Sequence, residues 1–138
     1  MTNRKLWLIL FASILTMCLG YYYFRPVVKE GVVAAKSITG ERNNVAYMII
    51  RFHELGVNPK IDDWKSLFPN TTKISEETES QLKTRYTDLR YVINVRTKIK
   101  TMGYYASKDD FNKMDLGDTV KFKILRKRDP TIKIIVNQ

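Results

Sequence analysis

The chain has one cysteine and one histidine in 138 residues, with only six glycines and four prolines. Cys18 lies inside an uncharged run, so the rest of the chain can build neither a disulfide nor a cysteine-based zinc site. Any Ser-His-Asp or Cys-His triad has to be built around His53, and no G-x-S-x-G elbow or second cysteine supplies the nucleophile. No Gly-rich phosphate loop, metal-ligand spacing, internal repeat or low-complexity tract is present. The adjacent acids Asp62-Asp63, Glu76-Glu77 and Asp109-Asp110 point apart on a regular backbone and read as caps or loop charges. His53, beside Phe52 near an expected helix end, reads as a surface or dipole-compensating residue. The expectation is a non-enzymatic protein with no cofactor, no metal and no small-molecule substrate.

What the chain does have is a long apolar run. Leu6 to Phe24 are 19 residues without a charge, preceded by Arg4 and Lys5 and followed by Arg25 and Pro26. As a helix they span about 28 Å, close to the hydrocarbon core of a bilayer. Trp7 at one end and Tyr21, Tyr22 and Tyr23 at the other fit interfacial aromatic belts. Residues 1–24 are therefore expected to be a membrane anchor of the signal-anchor type, in contact with the bilayer through residues 6–24. Two other readings stand beside it. One is a cleaved signal peptide cut after Gly20; the other is lipidation, since Leu15-Thr16-Met17-Cys18 is similar to a bacterial lipobox. The short basic leader places the amino terminus in the cytoplasm and residues 25–138 outside it, periplasmic in a bacterium.

Residues 25–138 are expected to form a single small α+β domain of two to three helices followed by a C-terminal antiparallel sheet of about three strands. Pro26 to Ile38 reads as a helix weakened by Gly31, with a bend at Gly40. Val45, Met48, Ile49, Phe52 and Leu55 recur at helical offsets ahead of Gly56, which predicts a second helix. Asp62-Asp63 precede a short helix bearing Trp64, Leu67 and Phe68, and Ser75 caps another from about Glu76 to Leu89. Then the period drops to two. Ile93 to Thr101, Val120 to Ile124 and Ile132 to Val136 alternate apolar with polar residues, separated by a loop containing Tyr104, Tyr105 and Phe111 and by turns at Leu116-Gly117-Asp118 and Asp129-Pro130. Asn70-Thr71-Thr72 matches the glycosylation sequon.

Lys and Arg outnumber Asp and Glu by 24 to 14, and the excess is local. Residues 90–138 carry 12 bases against 5 acids, whereas residues 25–89 carry 10 against 9. Strand alternation puts Arg96, Lys98, Lys100, Lys121, Lys123 and Lys133 on the side opposite the apolar residues, forming one basic sheet face. Two roles follow: a subunit docking onto other proteins of a membrane or envelope complex, or a binder of anionic lipid or another polyanion. Nucleic acid is disfavoured, because RNA-reading sheets expose aromatics where this one exposes lysines.

Gly117-Asp118-Thr119-Val120, followed by Phe122, Ile124 and Arg126, resembles the last strand pair of bacterial PDZ domains over about 20 residues. The Gly-rich carboxylate-binding loop of that family is missing, so the resemblance implies no peptide binding. The overall plan, a hydrophobic amino-terminal helix ahead of a small domain ending in an antiparallel sheet, resembles type IV pilins and pseudopilins. It implies a third role as a pilin-like or secretion-system subunit, although the processing site of that family, a Gly-Phe junction and a glutamate in the helix, is absent.

Overall fold

A computed structural model describes residues 3–69, 72–125 and 131–137. Helix α1 (Asn3–Phe24) takes in the whole apolar run and is long and apolar enough to cross a membrane, a property that anchors and signal sequences share. None of its residues is buried. Its serine and its threonine bond back to its own carbonyls, Ser13 to Leu10 and Thr16 to Ala12, so neither of these two hydroxyls is left unsatisfied on the helix surface.

Two residues later the chain enters β1 (Val27–Arg42), followed by β2 (Val45–His53) and β3 (Gly56–Pro59). This corrects the two helices expected at Pro26–Ile38 and Val45–Leu55. Val27, Val28, Val32, Val33 and Ile38 are β-branched and pack well on a pleated surface. The helical spacing in β2 comes from a β-bulge: the register with β1 slips between Ile38 and Thr39, so Ile49 is an extra residue beside Ile50 and both are buried. Leu55, counted as part of the helical stripe, is 94% exposed in the hairpin turn. The turn between β1 and β2 is Asn43-Asn44, both at positive φ (54° and 60°), as a two-residue hairpin of the type I′ class requires.

Short helices α2 (Trp64–Leu67), α3 (Glu76–Arg85) and α4 (Lys108–Lys113) are interspersed with β4 (Thr87–Arg96), β5 (Thr101–Ala106), β6 (Thr119–Ile124) and β7 (Ile132–Asn137). Among the described residues the sheet thus has seven strands where about three were expected, because two expected helices are β1 and β2, the chain after the β2 turn adds β3, and the expected Tyr104-Tyr105 loop is β5, hairpin partner of β4. Ser75 caps α3 as expected, accepting from the Thr78 N–H at 3.0 Å. The helix stops at Arg85 rather than near Leu89, since Tyr91, Ile93 and Val95 are taken into the sheet core. Gly117, at φ 88°, makes the expected turn before β6. The expected Asp129-Pro130 turn, Arg126, and Asn70 and Thr71 of the sequon lie outside the described residues.

β1 is the spine. Its second half pairs with β4 on one edge and with β2 on the other, and its first half, Val27 to Val32, pairs with β6 on the edge that β2 takes over later. β7 pairs with β6, and a bridge from Thr131 to Tyr105 brings that ribbon round to β5. The sheet therefore wraps around its own core, in which Tyr104 of β5 meets Phe122 of β6 at 5.1 Å between ring centroids. Phe52 meets Phe68 edge-on at 5.5 Å, and Tyr91 meets Phe111 at 5.4 Å. Gly31 permits the tightest approach: a Cβ there would lie 2.5 Å from Val95 Cγ1 and 2.8 Å from the Arg96 carbonyl oxygen.

Candidate functional site

The β4–β5 hairpin carries three of the six expected cations. β4 ends at Arg96 and β5 begins at Thr101, so Lys98 and Lys100 lie in the connecting turn rather than on a sheet face. Thr97 staples this turn. Its N–H and its hydroxyl both donate to the Lys100 carbonyl at 2.9 Å, and the hydroxyl oxygen accepts from the N–H groups of Ile99 and Lys100 at 3.4 and 3.3 Å. The staple presents Ile99, 92% exposed, between two exposed lysines.

Because β4 runs antiparallel to β1, with Arg96 opposite Val32, the turn beyond Arg96 travels back beside the beginning of β1. Lys29 to Val32, Arg96 to Lys100 and Thr119 together line an open groove of about 540 Å³. Lys29 belongs to this groove and was hidden in the sequence, because a helix reading of residues 27–38 gave it no defined neighbour. In Val27-Val28-Lys29-Glu30-Gly31-Val32 the apolar and charged residues come in pairs, so no period of two marked Lys29.

The other cations are distributed along the β6–β7 ribbon. Lys121 pairs across with Glu30 of β1, and Lys123 pairs with both Val28 and Lys133. Lys121 and Lys133 are exposed, Lys123 is half-buried, and buried Phe122 lies between Lys121 and Lys123 in sequence. A lysine directly opposite a lysine is an unfavourable cross-strand pair. Arg96 reaches Glu54 at 3.9 Å. Among the described residues, no carboxylate comes within ion-pair range of Lys29, Lys98, Lys100, Lys121, Lys123 or Lys133. Trp7, Tyr21, Tyr22 and Tyr23 are each more than two-thirds exposed on α1.

Two polar features were not foreseen. Lys36 of β1 is fully buried, flanked across the sheet by Phe52 and Ile93, with Nζ 2.7 Å from the Met114 carbonyl oxygen and 4.2 Å from the centroid of Phe111. Burial pushes its ammonium down from 10.5 to about 8, with nearby Asp115 opposing the shift, Lys73 adding to it and Asp118 opposing it. Glu79 of α3 accepts from Lys108 at 2.7 Å and from the Tyr91 hydroxyl at 2.8 Å, and it pairs with Lys83 at 2.9 Å. These contacts tie α3, α4 and β4 together.

His53 sits at the end of β2, not of a helix. It lines a hollow of about 300 Å³ with Arg51, Asn58, Asn94 and Thr101 over a floor of Ala34 and Ala35. Among the described residues that line this hollow there is no carboxylate. Comparison with family models, with curated proteins and with solved structures finds no match for this chain.

Proposed function

We propose that the chain is a non-enzymatic, single-pass membrane-anchored subunit whose α+β domain, residues 25–138, docks onto other proteins of a membrane or envelope complex. In this reading residues 1–24 are an uncleaved anchor and the domain is extracytoplasmic. The observation that supports docking is an open strand edge. β2 pairs with β1 from Val45 to His53, but β3 covers its other edge only from Ile50 to His53. Lys60 N–H extends that cover to the Ile49 carbonyl. From Val45 to Met48 the outer edge has no strand partner among the described residues, and its Val45 and Tyr47 are about half exposed. Such an edge is a template for an extended segment of a partner, main-chain bonds supplying affinity and alternate side chains selectivity.

Purification of the full chain from its own membrane in mild detergent tests the reading. A partner in fixed stoichiometry is expected, and it should be lost from a Val45→Lys/Tyr47→Lys variant whose melting temperature is unchanged. A chain that always migrates as a free monomer would overturn the reading.

A further inference from the structure

Chain connectivity constrains which end of the domain meets the bilayer. Only Arg25 and Pro26 separate the last residue of α1 from the first of β1, so the Cα atoms of Phe24 and Val27 are at most about 11 Å apart. Whatever lies level with the start of β1 is held close to the end of that helix. β6 ends there, Ile124 opposite Val27, and the hairpin turn points there, because Ile99 lies three residues past the Arg96–Val32 pair in the antiparallel direction.

This end of the domain has its own surface chemistry. Ile99 (92%), Leu125 (52%), Val28 (47%) and Val27 (39%) are exposed apolar residues at the strand ends and the turn. Lys98 and Lys100 flank Ile99, and Lys29 lines the groove beneath. At the far end of β1 the turn is Asn43-Asn44, with no comparable set of apolar tips between lysines. An apolar tip flanked by cations matches an interface in which acyl chains lie beneath anionic headgroups: the isoleucine enters the apolar boundary while the lysine stems extend and leave their ammonium groups at the phosphates.

We infer that the Lys98-Ile99-Lys100 turn docks into the anionic leaflet of the membrane that holds α1, with headgroup phosphates seated in the groove between Lys29 and the turn. The contact rests on the anchor reading above but not on the protein-docking one. It fixes the orientation of the domain on the membrane and presents the open edge of β2 at a set height above it. The two lysines each favour the docked state by about fivefold on an anionic surface, so docking is sensitive to lipid composition and salt.

Amide hydrogen exchange of the full chain in nanodiscs tests this. With one-third phosphatidylserine in phosphatidylcholine, exchange of residues 97–101 should slow about tenfold or more relative to pure phosphatidylcholine, while the Arg42–Val45 turn stays unchanged. High salt, Lys98→Gln/Lys100→Gln and Ile99→Ser should each reduce the protection, with the melting temperature of each variant held. Equal exchange of 97–101 in the two lipids, or protection that survives the double glutamine variant, would overturn the inference. Protection produced in neutral discs by inorganic phosphate alone would also overturn it, since the groove would then be a site for soluble anions. Alkaline carbonate extraction separates the two readings: a chain that is extracted fails as an anchored protein, whereas a retained chain with an unprotected turn fails only as a docked one.

Discussion

The Nζ of Lys36, on the central strand β1, donates to the main-chain carbonyl of Met114 at 2.7 Å from a position with no solvent exposure. The bond pins the chain just after α4 to the middle of the sheet and holds an ammonium group against the face of Phe111. A buried ammonium is costly even when bonded.

That cost has a pH signature. The unfolded chain keeps the Lys36 proton up to about 10.5, and the folded domain releases it near pH 8, so between these values the unfolded state binds more protons. Stability should therefore rise with pH across that window, by roughly 3 kcal/mol from this group. Lys36→Met should lack the rise and should be at least as stable as the wild type at pH 7, because an apolar chain of similar length replaces a buried charge. Denaturant unfolding of the detergent-solubilised chain, followed through Trp64 fluorescence, measures both. A wild-type-minus-variant difference that does not change between pH 7 and 10.5 would refute the assignment.

Acid should act through Glu79. Its hydrogen bond from Lys108 holds the carboxyl down to about 2 from an ordinary 4.5, against the opposing effect of burial, with Lys83 and Tyr91 adding to the depression. The stabilisation is complete above pH 4.5 and is lost as pH falls toward 2. Glu79→Gln is expected to cost about 1 to 3 kcal/mol at pH 7, the value of a charged hydrogen bond, and to flatten the acid limb of a melting-temperature profile. An unchanged acid limb would show that the Glu79 carboxylate does not hold α3 to α4.

Gly31→Ala should destabilise the domain by about 1 to 3 kcal/mol or more. The new methyl would collide with the Arg96 carbonyl as well as with Val95, and a main-chain atom cannot turn aside as a side chain can. Because the clash lies where β1 passes from β6 to β4, hydrogen exchange should speed up first in Gly31 to Val33 and Val95 to Thr97. Wild-type melting behaviour in the variant would contradict the close approach.

The Asn43-Asn44 turn offers a stabilising change. Both residues hold positive φ, which costs an L-residue strain that glycine avoids. Asn44→Gly should raise stability by about 0.5 to 1 kcal/mol, matching the Asn-Gly preference of this turn, and Asn43→Val should lower it by more than that. Thermal melts of the two variants decide it; equal shifts would mean the turn geometry is misassigned.

Some of this protein could be read from local chemistry. The apolar run of α1 requires no partner to be recognised, and the Ser75 cap bonds a group three residues away. In β6, Val120 and Phe122 are buried while Lys121 between them is exposed, so period two survives there. Tertiary structure decided the rest. β1 is covered on both edges and on much of both faces, burying Ala35, Lys36, Ser37 and Ile38 in succession, so its sequence carries no alternation to find. The bulge at Ile49 gives β2 a helical spacing for the same kind of reason, a register set by a neighbouring strand. Lys98 and Lys100 continue the alternation of β4 in sequence, but Thr97 turns the chain before them, and only pairing with β1 brings them beside Lys29. Local periodicity records which face is wet; it does not record where a strand stops or what crosses over it, because those depend on contacts between residues far apart in the chain.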